Sequence, residues 1–215
     1  NLAHADWGPV VAPSPVRAPG DVGFAKMIED WDIERVINDY ADTADRMKAG
    51  CLDGIEIECY GHLMDQFWSP GTNLRDDEWG GDAERRMRFP LEVAAAVREV
   101  WPKERALGAR ITGSDWREDG LGPDDAVIFA GRLKQLGYDF VCVSSGGIGG
   151  PAPIPVGPGY QVHLAEAVGK GSGIATRAVG MIVDPHHAEQ IVSSGQADMV
   201  ALARGFLDDP RWVWH

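Results

Sequence analysis

The sequence predicts an α/β fold, a (β/α)8 TIM barrel that is incomplete, and three observations carry this expectation. Short apolar runs alternate with amphipathic helical segments along the chain, the order of βαβ units on a parallel sheet. No GxGxxG stands at a first strand-to-helix turn, where an open dinucleotide-binding sheet would carry it. Chemically rich residues follow several different strands, as they do when every βα loop opens on one barrel mouth. The chain has 215 residues, short of the ~250 that eight strands usually need.

Taken in order, NLAH (residues 1 to 4) reads as the tail of a strand. Trp31 to Gly50 places Ile33, Val36, Ile37, Tyr40, Ala44 and Met47 at helical spacing and stops at Gly50. GIEIE, from Gly54 to Glu58, alternates Ile with Glu as a strand does. A helix over Ala83 to Trp101 carries Leu91, Val93, Ala94, Val97 and Val100, and a strand follows from Leu107 to Thr112. Pro123, whose fixed φ suits a first turn, opens a helix that runs to Gly137. Next come a strand from Asp139 to Ser144 and a short helix from Gln161 to Gly169. Gly173 to Gly180 reads as a strand leading into a loop, Pro185 to Gly195 as a helix and Asp198 to Ala203 as the last strand. That makes five strands and the tail of another. The sequence opens without Met, on a strand in progress, and closes on DDPRWVWH, a helix just beginning. The expectation is one partial domain over residues 1–215, an internal piece of a longer protein.

Apolar residues make up 44% and charged residues 25%, enough for a real core and against wholesale disorder. Twenty basic against 33 acidic residues give a net charge of −13, which opposes attraction to phosphate backbones and anionic lipid. Neither nucleic acid nor a membrane is expected as a partner. No apolar run reaches the ~18 residues of a membrane span and the amino end lacks a signal-peptide profile, so the expected location is cytoplasmic. Cys51, Cys59 and Cys142 form no CxxC and read as reduced thiols, and the adjacent His186 and His187 lack chelating spacing, so no metal site is expected.

Asp65 to Phe89, DQFWSPGTNLRDDEWGGDAERRMRF, resembles the QF-SP-N-R-DEYGG-NR-RF signature of the old yellow enzyme family, flavin-dependent barrel oxidoreductases. The resemblance continues in family order through GARITGSDW, VSSGG, GPGYQVHLAE, ATRAVGMIVDP and DMVALARGFLDDP. NLAH followed by VVAPSPV matches the family's third strand and its loop, which implies strands three to eight of the barrel. Read without the resemblance, Gly80 and Gly81 allow a tight turn, Asp82 caps the helix at Ala83, and Glu84 lies in its first turn, a purely structural role.

The resemblance implies FMN, with NAD(P)H as electron donor. Such chemistry needs a cation near the flavin pyrimidine, a phosphate cradle, and a polar pair facing substrate. Arg110 lies mid-strand, where a guanidinium needs an anionic partner, either reduced flavin or an acidic neighbour. Gly180 and Arg204, after consecutive strands, match the family's phosphate site, with Ser145 and Gly146 on the ribityl side and Asn1 at the flavin pyrimidine. The substrate-facing segment is Glu58 to Phe67, ECYGHLMDQF. His62 lies where the family Tyr lies, Tyr60 at its second His, and Glu58 near its first, one residue short. A Tyr and a His two apart can supply a hydrogen-bond donor and an acid–base group, or merely pack together. Tyr160 and Trp116 are further candidates to line the mouth.

Three functions follow as expectations. Hydride passes from NAD(P)H through flavin N5 to an activated alkene, with a proton from Tyr60 or His62. Alternatively, an N-methyl amine gives hydride to N5, a reaction that a carboxylate at Glu58 would favour by attracting a cation. The third is an inactive barrel fragment without flavin.

Overall fold

The computed structural model describes residues 10–16, 24–148 and 153–214. Two short strands, β1 (Val11–Ala12) and β2 (Lys26–Met27), pair in parallel apart from the main sheet. They lead into helix α1 (Asp30–Ala49), strand β3 (Gly54–Cys59), and helices α2 (Leu63–Trp68) and α3 (Ala83–Val100). Strand β4 (Ala106–Thr112), helix α4 (Pro123–Leu136), strand β5 (Phe140–Ser144) and helix α5 (Val162–Ser172) follow. The chain continues through strand β6 (Ala175–Ala178), helix α6 (Pro185–Ser193), strand β7 (Met199–Val200), helix α7 (Arg204–Asp208) and a 3-10 turn at Trp212–Trp214.

The main sheet is wholly parallel, and its spatial order β3-β4-β5-β6-β7 is also its sequence order. A doubly wound sheet reverses direction at a switch point; consecutive neighbours throughout are the mark of a barrel wall. Among the described residues the wall is an open arc of an incomplete (β/α)8 barrel, with β3 and β7 as its edges.

Local chemistry explains the element ends. Asp82 accepts the Arg85 N–H at 3.0 Å and caps α3, as its sequence position implied. Pro123 opens α4, and Gly137 closes it in the left-handed region at φ 89°. α1 stops at Gly50 as expected, but Gly50 keeps φ −73° and the left-handed turn falls on Cys51 at φ 59°.

Two strands are shorter than the sequence implied. β6 covers Ala175–Ala178 of the Gly173 to Gly180 read as a strand leading into a loop, and β7 only Met199–Val200 of Asp198 to Ala203, where the edge strand is held from one side alone. Helix α2 was not foreseen, since one and a half turns leave no apolar periodicity to read.

The core lies between the sheet and the helices, where Phe67 stacks on Phe89 at 4.4 Å and Trp68 on Phe129 at 4.5 Å. All four are essentially buried, and each such side chain contributes roughly 1.5–3 kcal/mol. The cysteines are free, Cys51 exposed and Cys59 and Cys142 buried. Among the described residues no helix is long and apolar enough to cross a membrane.

Candidate active site

Strand periodicity sends Ile57 and Cys59 into the helix-side core and leaves Glu56 and Glu58 on the concave face. The register sets Glu58 opposite Arg110, Arg110 opposite Cys142, and Cys142 opposite Arg177. Arg177 pairs closely with Glu56, and Arg110 Nη1 stands 3.9 Å from the Glu58 carboxylate. Two cations therefore meet two anions in one layer of the face. Burial nonetheless pushes the Glu56 carboxyl up, against the pull of Arg177. Arg110 also donates to Ser144 Oγ at 3.1 Å and lies 4.6 Å over the Tyr60 ring. The Nε atoms of Arg110 and Arg177 are buried without a partner.

Above this layer opens a cavity of about 650 Å³, lined among others by Tyr60, Arg110, Ser144, Tyr160, Gly180 and Arg204. They come from the carboxyl ends of β3, β4, β5, β6 and β7, so Arg110 and Arg204 share one end of the sheet. Gly180 has φ 114°, and a β-carbon there would stand 2.7 Å from Gln161 Nε2 and 3.0 Å from the Tyr160 ring. Gln161 is fixed in turn by Ser145 Oγ at 2.6 Å. Burial raises the Tyr160 hydroxyl and the Cys142 thiol above their ordinary ranges.

Beneath the loop after β3 lies Asp65, which is fully buried. Its Oδ2 accepts the Gly61 N–H at 2.7 Å and the Thr112 hydroxyl at 2.8 Å, while Oδ1 has no partner. Burial pushes this carboxyl up to about 7, and the nearby Asp115 adds to the rise. Asp115 is also raised by burial; it accepts from Ser69 Oγ at 2.7 Å and Leu121 N at 2.8 Å.

Residues 4–215 match the NADH:flavin oxidoreductase / NADH oxidase family. The chain belongs to this family. An NADPH dehydrogenase of Geobacillus sp. (strain WCH70) is 42% identical over 219 residues, spanning 99% of this chain and 64% of that protein. A probable N-methylproline demethylase of Rhizobium meliloti (strain 1021) is 40% identical over 216 residues, or 97% of this chain and 32% of that one. In three dimensions, a 2-naphthoyl-CoA reductase in complex with 2-naphthoyl-CoA superposes with a TM-score of 0.88 at 25% identity, covering 96% of this chain and 32% of its own. The chain thus spans less than two thirds of the relatives it matches.

Within this member of the family, the residues expected from the sequence divide. Tyr60, Arg110, Tyr160, Gly180 and Arg204 meet at the cavity. Glu58 sits beside it, turned to Arg110 and to the Tyr60 N–H at 3.2 Å. His62 is exposed at the amino end of α2 and does not line the cavity. Ser145 and Gly146 are not among the lining residues; Ser145 braces Gln161, and Ser144 takes the lining position instead. Trp116 lies in the loop after β4, at φ 57°, beside Pro153 in a separate hollow, 6.0 Å from the His163 ring. Asn1 and His4 fall outside the described residues. Sequence reasoning missed Glu56, Cys142, Gln161 and Arg177. Aligning the strands at their carboxyl ends would have found three of them, since Glu56, Cys142 and Arg177 share the Arg110 face.

Proposed function

We propose that this chain forms the FMN-binding wall of an oxidoreductase that passes hydride from NAD(P)H to an activated alkene. The observation that supports this best is the single cavity shared by Arg110, Gly180, Arg204 and Tyr60. The donor set suits an anionic cofactor: Arg110 Nε is buried and unpartnered, and the space at Gly180 is one that a β-carbon would fill. Arg110 would hold the pyrimidine end, and Arg204 with the backbone at Gly180 the phosphate.

FMN, when bound, supplies the two-electron carrier between NAD(P)H and substrate. Arg110 offsets negative charge at the pyrimidine edge. The Tyr60 hydroxyl, 3.1 Å from the Ser145 carbonyl, holds a proton at the cavity wall. With hydride supplied to the β-carbon of the alkene by that carrier, Tyr60 would give its Oη proton to the α-carbon and regain one from solvent. His62, away from the lining, is the weaker candidate for that proton.

Oxidative N-demethylation is the second reading, favoured by the Rhizobium relative and by a Glu58 side chain that stays 43% exposed. The charge of Glu58 is met by Arg110, which weakens the attraction for an alkylammonium. Small-molecule partners, a cytoplasmic location and assembly into a homo-oligomer belong to the main reading as proposals, and cell fractionation and light scattering test the last two.

The deciding experiment is the absorbance spectrum of the purified protein, followed by assays with a cyclohexenone and an N-methyl amine. A yellow protein that reduces the enone supports the proposal. A colourless protein that takes up no FMN overturns it and favours an inactive barrel fragment.

A further inference from the structure

We propose that Asp65 is a positioning residue for Tyr60, acting through the Gly61 amide; this rests on the role given to Tyr60 above. One carboxylate oxygen gathers Gly61, beyond the end of β3, and Thr112, at the end of β4. Gly61 directly follows Tyr60, whose hydroxyl reaches the Ser145 carbonyl beyond β5. Asp65 thereby ties two strand ends, and Tyr60 reaches the third.

The fit is close on the opposite side. Gly61 has φ 71°, and a β-carbon at Gly147 would stand 2.6 Å from the Gly61 Cα and 2.8 Å from the Tyr60 ring. The loop after β5 thus forms one wall against Tyr60, and the Asp65 bond to Gly61 holds the other. No cation is among the groups acting on Asp65. A leucine of similar size would cost less to bury than an acid without a countercharge. It would also strand the Gly61 N–H.

Amide hydrogen exchange at Gly61, with steady-state kinetics on the FMN-loaded protein, tests the proposal in Asp65→Leu and Asp65→Asn. In Asp65→Leu, Gly61 exchange should rise and kcat fall by about tenfold, the weight of one lost hydrogen bond. FMN affinity should hold, because Arg110, Gly180 and Arg204 are untouched. Asp65→Asn keeps an acceptor toward Gly61 and Thr112, so it should restore both protection and turnover. Unchanged exchange in Asp65→Leu, or no rescue by Asn, overturns the proposal. Should the Leu variant not fold, a wild-type Gly61 amide that exchanges like an unbonded loop amide overturns it, and a protected one that stays protected in Asp65→Asn supports it. A Tyr60→Phe protein with full kcat would instead remove Tyr60 from the chemistry, while Gly61 exchange still reports on Asp65.

Discussion

Arg110 faces Glu58 across the β3–β4 pair, its guanidinium 3.9 Å from the carboxylate and 4.6 Å over the Tyr60 ring. The two side chains are 34% and 43% exposed, and a pair this open contributes only ~0–1 kcal/mol. It orients the guanidinium without consuming it. Arg110 thus remains available to an anionic group in the cavity, and Glu58 tunes how much positive charge it presents.

The first consequence concerns Arg110→Ala. Loss of the cation should weaken binding of reduced flavin more than oxidised, because negative charge develops at the pyrimidine only on reduction. The flavin midpoint potential should therefore fall, as a spectroelectrochemical titration would read. An unchanged potential in a folded variant would take Arg110 out of the site.

Glu58→Gln should act in the opposite direction. Removing the anion leaves Arg110 less neutralised, so the midpoint potential should rise, and any N-methyl amine oxidation should decline relative to enone reduction. Glu58→His should shift selectivity the same way. Steady-state assays with both substrate classes check this; equal selectivity in wild type and both variants would end the assigned role of Glu58.

These expectations show which features the sequence made legible. Alternating apolar runs disclosed all five strands of the sheet, and the Asp82 cap and the Pro123 start were readable because local chemistry fixes them. Arg110, Gly180 and Arg204 could be brought to one cavity because Arg110 lies in the carboxyl half of its strand and the other two follow theirs. His62 and Trp116 could not, since their side-chain directions depend on a six-residue helix and on a left-handed loop residue. The partners Glu56 and Arg177 lie 121 positions apart in sequence, and only the sheet register joins them. The fate of Asp65 was hidden for a related reason: an acid in a first helical turn usually faces water.

Gly180→Ala tests the cradle. An alanine at φ 114° carries backbone strain, and its β-carbon would press on Gln161 Nε2 from 2.7 Å. Strain of about 1–2 kcal/mol should weaken FMN binding by about tenfold or more and lower the melting temperature. Equilibrium dialysis and a thermal melt would measure both, and wild-type affinity in the variant would place the phosphate elsewhere.

Asp65 also makes stability depend on pH. Its carboxyl is raised to about 7 in the fold, against about 4 in an unfolded chain. Between those values the folded state binds more protons than the unfolded one, so stability falls as pH rises through this window. The full cost, a few kcal/mol, is present above the folded value and absent below the unfolded one. Asp65→Asn carries no such proton and should escape it. The melting temperature of the variant should therefore gain on wild type from pH 5 to pH 8, and the gain should level off beyond the point where Asp65 is fully ionised. A difference between the two proteins that stays constant across that range would mean that Asp65 does not titrate there, and that its two hydrogen bonds outweigh the burial that raises it.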